Sequence, residues 1–209
     1  ITGTHGKTST TALLSHIFHF NNVNVSYLYG GITTFNGIGG HYGDPDQPLI
    51  LETDEAFNTF EKIKISDLLV LNVDSDHLDY FKNLDNYKDA FYKVMKNVTD
   101  NLVINNDDLN IKSMKELKNP VSYGKDISAD FKVQSPGTFI YENNKYEIKS
   151  DIIGDHFKAN MLGAIILALL NGIEIKDSLN AIESFAGVKR RIELIGISKG
   201  VLIYDDYGH

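Results

Sequence analysis

Residues 1–20, ITGTHGKTSTTALLSHIFHF, carry the most informative pattern of the sequence, two closely spaced glycines directly before an apolar helical repeat. Gly3 and Gly6 permit tight backbone turns and the close approach of an anion. From Thr8 to Phe20 the apolar residues recur at helical spacing. Backbone amides around residues 4 to 9 are therefore expected to face the opening of a helix, whose N-terminus favours negative charge. The stretch predicts the end of a strand, a phosphate-binding loop and a helix.

The polar groups of this loop come from six consecutive residues, Thr4, His5, Gly6, Lys7, Thr8 and Ser9. Lys7 is predicted to reach the β- and γ-phosphates of a nucleotide, and the Thr8 hydroxyl to bind Mg²⁺. Only two residues separate Gly3 from Gly6, whereas the general P-loop pattern has four. The alternative is a strand-to-helix turn in which Gly-Lys-Thr occurs by chance, and the strong helical pattern that follows at once argues against it.

Apolar runs typical of strands alternate with helical patterns along the first half of the chain. The predicted strands are 23–29, 49–51, 67–73 and 101–105, and the predicted helices after the first are 84–98 and 107–117. Such alternation favours an α/β fold with a doubly wound, mainly parallel sheet.

After Pro120 the alternation of strand and helix patterns gives way to short strand patterns. Short alternating strands over residues 128–149 predict a small antiparallel β appendage. They are followed by a helix at 156–171 that is apolar on nearly every face and so should be buried, by a short helix at 177–185 and by a hairpin over 193–204.

Carboxylates and a histidine follow two of the predicted strands. Ligands of open α/β sheets bind outside the carboxyl ends of the strands. Glu52 comes directly after the strand 49–51 and is predicted to offer a carboxylate to Mg²⁺ beside Thr8. Asp54 and Glu55 are expected to be loop acids or helix-cap residues.

A denser cluster, NVDSDHLD, follows the next strand at residues 72–79. It contains His77, whose imidazole prefers softer metals than Mg²⁺. The chemistry of the side chain alone therefore favours a structural role for this histidine.

Two further sites lie near the end of the sequence. Lys189-Arg190-Arg191 is either a solvated turn or an arginine fork for phosphate. Asp205-Asp206 is either a pair of exposed acids or a contact for ribose hydroxyls.

Composition narrows the class of protein. The 209 residues contain Asp+Glu 28 against Lys+Arg 20, a net charge of −8, which argues against a nucleic-acid or anionic-membrane partner. Cys 0 excludes disulfides, thiolate zinc sites and thiol catalysis. The longest clearly apolar run, 161–170, is far too short to span a bilayer. Because the net charge repels ATP at long range, Lys7, the loop amides and Mg²⁺ must supply local positive charge.

Together these residues resemble the central ATPase domain of the Mur ligase family, over almost the whole chain. Five blocks carry the resemblance: residues 2–10, 52–55, 72–79, 187–191 and 205–209. His5 in the loop and the Asp-Asp-Tyr-Gly-His ending resemble the branch that adds L-alanine to UDP-N-acetylmuramate. A close neighbour is the branch that recycles the murein tripeptide.

The resemblance implies ATP and Mg²⁺ as cofactors and assigns individual roles. Lys7 and the loop from Gly3 to Ser9 would bind the phosphates, Thr8 and Glu52 would hold one Mg²⁺, and His77 would hold a second metal. Three more residues would complete the nucleotide site, with Arg191 near the phosphates, Asn160 near the adenine and Asp206 near the ribose. The implied catalytic residues are Lys7, His77 and Arg191.

Two positions depart from the family pattern. Phe157 follows His156 where the family usually has Asn, which alters part of the adenine contact. Several sister ligases carry a carbamylated Lys where Phe91 aligns here, and its absence fits the branch that adds L-alanine.

The resemblance also implies the organisation of the whole protein. Residues 1–204 would be the central ATP-binding domain and 205–209 the start of a linker, because the sequence is expected to be a piece of a longer, cytoplasmic protein. Missing N- and C-terminal domains would bind the UDP-sugar and much of the L-alanine. The alternatives from outside the family are a P-loop NTPase or phosphotransferase, and a degenerate domain that only binds nucleotide or a partner.

Overall fold

The computed structural model describes residues 1–33, 37–55, 60–75, 78–114 and 117–207. Its helices are α1 (Lys7–Phe20), α2 (Leu78–Phe81), α3 (Leu84–Lys96), α4 (Leu109–Lys112), α5 (Asp155–Leu170) and α6 (Ile175–Ser184). Its strands are β1 (Ser26–Leu28), β2 (Gly40–His41), β3 (Leu49–Leu51), β4 (Asp67–Val70), β5 (Asn101–Asn105), β6 (Val121–Gly124), β7 (Phe131–Ser135), β8 (Thr138–Tyr141), β9 (Asn144–Glu147), β10 (Glu193–Ser198) and β11 (Val201–Asp205).

Residues 1–3 join two sets of strands into one sheet. The nitrogen of Ile1 donates to the carbonyl of Leu51 at 2.8 Å, and the amide of Thr2 donates to the carbonyl of Leu69 at 2.9 Å. The strand order is therefore β2-β1-β3, then residues 1–3, then β4-β5-β6-β7-β8-β9. Strands β4 to β7 are parallel, whereas β8 and β9 continue the sheet in antiparallel fashion. The predicted doubly wound sheet with a small antiparallel appendage is confirmed.

The order of the strands places the phosphate loop at the point where the winding reverses. From residues 1–3 the chain proceeds to β1 and β3 on one side, and then crosses to β4 on the other. In open α/β sheets the crevice at such a switch point is where ligands bind.

The central strands are buried on both faces of the sheet. Successive side chains point to opposite faces, and helices pack against each face. On β4 and just beyond it, Leu69 and Leu71 belong to the core beneath α1, α5 and α6. Leu68 and Val70 belong to the second core, beneath α3. Burial on both faces explains why this strand is a continuous apolar run.

Several element boundaries differ from the sequence-based prediction. The predicted helix 107–117 forms only as the short α4, Leu109–Lys112, and two of its residues, 115 and 116, lie outside the described part of the chain. The predicted strands 23–29 and 67–73 form as the shorter β1 and β4. Gly40–His41 form an additional short strand, β2, because they pair with β1. The extent of each element depends on tertiary contacts that no local pattern shows.

Among the described residues no helix is both long enough and apolar enough to cross a membrane.

One pH dependence follows from the packing of α1 on α6. His16 is buried, and its Nε2 donates to the carbonyl of Ala181 at 3.0 Å. Burial lowers the pKa of His16 below its usual 6.5, although the bond to Ala181 acts against that shift. The native state therefore binds fewer protons than the unfolded state, and stability is lost as the pH falls from 6.5 toward the folded pKa.

We expect His16→Gln to reduce this acid-induced loss of unfolding free energy, measured by urea denaturation at several pH values. His19→Gln, at an exposed position of the same helix, is the control that should retain it. An unchanged pH slope in His16→Gln would contradict this origin.

Candidate functional site

A cavity of about 630 Å³ opens at the carboxyl edge of the sheet, beside the N-terminus of α1. It brings together predicted site residues that are up to about two hundred positions apart in the chain. Those that line it are Thr4, His5, Gly6, Lys7, Thr8, Ser9, Glu52, Asn160, Arg191 and Asp206.

The shape of the loop depends on its two glycines. Gly3 has φ +143°, and a Cβ there would lie 3.1 Å from the backbone nitrogen and oxygen of Asn72. Gly6 has φ +87°, and a Cβ there would overlap the side-chain amide of Asn160. A side chain is therefore strained at Gly3 and would displace Asn160 at Gly6, so both positions favour glycine.

Asn72 fixes the tip of the loop from the neighbouring strand end. Its Oδ1 accepts from the amide of His5 at 2.7 Å, and its Nδ2 donates to the carbonyl of His5 at 2.9 Å. The sequence places Asn72 in the acidic cluster after β4 but gives no sign of this role, because the contact spans 67 residues.

The first turn of α1 points its amides at the cavity. Gly6 is the N-cap, and no side chain within the described ranges caps this helix end. The first amides of a helix need partners, and together with the helix dipole they form a site for an anion.

Lys7 is held by backbone and carboxylate oxygens. Its Nζ donates to the carbonyl of Gly3 at 2.8 Å and to Oε2 of Glu55 at 3.0 Å, while Oδ1 of Asp54 lies 3.8 Å away. Glu55 lies outside the helices and strands, as expected of a loop acid, but its side chain is fully buried, which the sequence did not indicate. Burial raises the pKa of the Glu55 carboxyl, and Lys7 acts against that shift.

Thr8 and Glu52 face each other across the predicted metal position. The Thr8 hydroxyl donates to Oε1 of Glu52 at 2.7 Å, and the amide of Gly30 donates to Oε2 at 2.7 Å. The two hard oxygen ligands predicted for Mg²⁺ are thus in direct contact, although Thr8 lies in the first turn of α1 and Glu52 follows β3.

The N-terminal turn of α5 forms another wall of the cavity. His156, Phe157 and Asn160 all line it, and Asn160 is buried against the loop at Gly6.

Phe91, the residue aligned with the carbamylated Lys of sister ligases, is fully buried, and its ring centroid lies 5.1 Å from that of Tyr87.

Arg191 reaches the cavity from a strained turn. The flanking residues Arg190 and Ile192 have φ values of +58° and +51°, which are costly for side chains of this size. Asp206 stabilises the turn, since its Oδ2 accepts from the amide of Ile192 at 2.8 Å. Arg191 also stacks on Tyr207, with its Cζ 5.5 Å from the ring centroid. Strain that surrounding contacts maintain is typical of functional sites.

His77, predicted as a metal ligand and catalytic residue, lies outside the described residues, as does the adjacent Asp76.

Comparison with known proteins gives consistent matches. The sequence model of the protein family described as the Mur ligase middle domain matches residues 1–168 of this chain. The UDP-N-acetylmuramate–L-alanine ligases of Clostridium botulinum strain Hall and of Hydrogenobaculum sp. are 37% and 35% identical to this chain over 223 aligned positions. Both alignments include all of this chain, which covers 48% and 49% of the two relatives. The chain therefore spans about half the length of the curated relatives it matches.

Solved structures agree on the fold. The UDP-N-acetylmuramate-alanine ligase of Thermotoga maritima superposes with a TM-score of 0.82 at 26% identity, over 99% of this chain and 49% of that protein. The UDP-N-acetylmuramate:L-alanyl-γ-D-glutamyl-meso-diaminopimelate ligase of Neisseria meningitides has a TM-score of 0.77 at 23% identity, over 90% of this chain and 65% of that one. At that identity the second match is evidence for the fold alone.

Proposed function

This chain belongs to the Mur ligase family, and we propose that it carries the ATP-binding centre of a ligase that joins L-alanine to the carboxyl group of UDP-N-acetylmuramate. One observation carries the proposal: Lys7, the uncapped start of α1 and the Thr8–Glu52 pair all line a single cavity at the switch point of the sheet. The relatives at 35% and 37% identity support the choice of substrates.

The site fits a magnesium nucleotide by the chemistry of its donors. The helix start and the Lys7 ammonium provide positive potential for phosphates. Thr8 and Glu52 offer oxygen ligands, which Mg²⁺ prefers. Thr8 Oγ1 and Glu52 Oε1 lie 2.7 Å apart, close enough for both to bind one ion. The cavity of about 630 Å³ is within the usual size range of small-molecule sites.

In the proposed mechanism this chain orients the nucleotide and neutralises charge. Lys7 and the loop amides would hold the phosphates and Arg191 would approach them, so that a carboxylate can come close to the γ-phosphate. Asn160 would contact the adenine and Asp206 the ribose. Thr8 and Glu52 would hold one Mg²⁺ and His77 a second metal.

The overall reaction balances as two transfers. A carboxylate oxygen of UDP-N-acetylmuramate attacks the γ-phosphorus, ADP leaves, and an acyl phosphate forms on the sugar. The amine of L-alanine then attacks the acyl carbon, phosphate leaves, and one proton is lost to give the amide. Because ATP is consumed, we place the reaction in the cytoplasm.

The proposed division of labour follows the length of the relatives. Residues 1–204 would form the ATP-binding domain and 205–209 would begin a linker, with the UDP-sugar and much of the L-alanine bound by the domains that make up the other half of the protein. The alternative within the family is the murein tripeptide-recycling ligase, which predicts a tripeptide substrate. The NTPase of another family that the loop alone left open would hydrolyse ATP independently of any UDP-sugar, and the family match argues against it.

The test is a ligation assay on the full-length protein with UDP-N-acetylmuramate, L-alanine, ATP and Mg²⁺, in which product and ADP are measured. We expect equal amounts of the two, and no product with the murein tripeptide. Glu52→Gln keeps the shape of the side chain but loses its charge. The Mg²⁺ concentration needed for half-maximal rate should rise at least roughly tenfold, because one charged metal contact is weakened. Glu61→Gln, at an exposed position, is the control. ATP hydrolysis without a UDP-sugar would contradict the proposal.

A further inference from the structure

A buried chain of hydrogen bonds leads away from Lys7 into the protein. Both oxygens of the Glu55 carboxylate are engaged, because Lys7 Nζ donates to Oε2 at 3.0 Å and the hydroxyl of Tyr87 donates to Oε1 at 2.9 Å. Neither Glu55 nor Tyr87 lines the cavity, and the side chains of both are fully buried.

The chain continues from Tyr87 back to the phosphate loop. Tyr87 Oη lies 2.9 Å from the hydroxyl of Thr4. Because the Tyr87 hydrogen goes to Glu55, the Thr4 hydroxyl donates between these two oxygens, and the carbonyl of Asp74, 3.2 Å from Thr4 Oγ1, is a competing acceptor. Thr4 Oγ1 in turn accepts from the amide of Asp74 at 2.8 Å. The loop is therefore attached through Thr4 to Tyr87 and through Lys7 to Glu55, and these two buried residues are bonded to each other.

We propose that Glu55 and Tyr87 are positioning residues that hold the Lys7 ammonium and the Thr4 end of the phosphate loop in fixed relation to each other. The inference rests on the proposed role of Lys7 at the phosphates. A lysine side chain loses conformational freedom when it is ordered, and this loss opposes binding. The Glu55 carboxylate, itself held by the Tyr87 hydroxyl, orders the Lys7 side chain before the substrate binds. Less conformational freedom is then lost on binding, as in other preorganised sites.

The geometry also explains why Tyr87 serves better than a phenylalanine. Its ring is packed among aromatic neighbours, with centroids 5.0 Å from Phe81 and 5.1 Å from Phe91. The ring is thus held by packing, whereas the hydroxyl connects α3 to the carboxylate and the loop. Replacing Tyr87 by phenylalanine removes only this hydroxyl. The variant therefore tests the positioning role while the packing of the ring is kept.

The test is Tyr87→Phe in the full-length protein, with kcat and the KM for ATP measured at a temperature where the variant is folded. We expect kcat to fall by roughly tenfold or more, as for small displacements of a reacting group, while the KM for ATP changes less. A residue with a structural role only would lower the unfolding temperature and leave kcat of the folded enzyme unchanged.

Tyr123→Phe is the matched control. Tyr123 is equally buried, and its hydroxyl has no hydrogen-bond partner within the described part of the chain. We expect its kcat to stay at the wild-type value. If Tyr87→Phe stays within twofold of wild type in kcat, the positioning role is refuted. If instead the wild-type protein does not use ATP at all, the proposed function itself is wrong.

Glu55→Gln keeps the test valid should Tyr87→Phe not fold. This variant should also lower kcat, and the double variant should be no slower than the slower single one, because both changes act through the same lysine. Additive losses would show that the two residues act independently and would overturn the inference.

Discussion

Lys7→Ala is expected to lower both nucleotide affinity and the stability of the fold. Loss of a charged contact to phosphate should weaken ATP binding roughly tenfold to a hundredfold. The same change removes the cation from the fully buried carboxylate of Glu55, and breaking a buried ion pair in this way costs about 3 kcal/mol of unfolding free energy. Calorimetry with an ATP analogue and urea denaturation measure the two effects.

The double variant Lys7→Ala/Glu55→Gln separates them. Glutamine removes the unpaired buried charge, so most of the stability should return. The affinity for nucleotide should remain low because the ammonium is still missing. An Lys7→Ala variant that binds nucleotide normally would refute the phosphate-loop assignment, and one of wild-type stability would refute the importance of the buried pair.

Gly6→Ala is the second change with a large expected effect. A non-glycine residue at φ +87° costs about 1–2 kcal/mol, and the new methyl group would also displace the side chain of Asn160. Because Asn160 and the first turn of α1 both line the cavity, we expect ATP affinity to fall by at least roughly tenfold, a loss of about 1.4 kcal/mol.

Gly172→Ala provides a matched comparison for the backbone term. Gly172 has φ +88°, and an added Cβ would meet nothing within 4 Å. We expect a similar loss of stability from backbone strain, without any change in nucleotide affinity. Equal affinities in the two alanine variants would show that the space around Gly6 does not matter to the site.

The sequence alone predicted those features that are local or periodic. The turn from Gly3 to Gly6 is followed by α1 as expected, and the apolar run of residues 67–73 contains the central strand β4, which is buried on both faces. Glu52 could be singled out because the carboxyl ends of parallel strands meet at one edge of the sheet.

Features that depend on distant contacts could not be predicted. The burial of Glu55 was not predicted, since nothing near it in sequence indicates that Lys7 and Tyr87, 48 and 32 positions away, would surround its carboxylate. The bond from Ile192 to Asp206 was missed for the same reason, because it depends on a positive φ in a turn without glycine.

Residues 1–3 have a kinetic consequence beyond their place in the sheet. They form the seam between β3 and β4, and their bonds join positions about 50 and 70 residues apart in the chain. Long loops must close before such contacts form, which slows folding. The two flanking parts of the sheet contain mostly shorter-range pairings, so we expect the seam to close later than its flanks. The loop that leaves this seam is the proposed nucleotide site, and we therefore expect its assembly to depend on these late contacts.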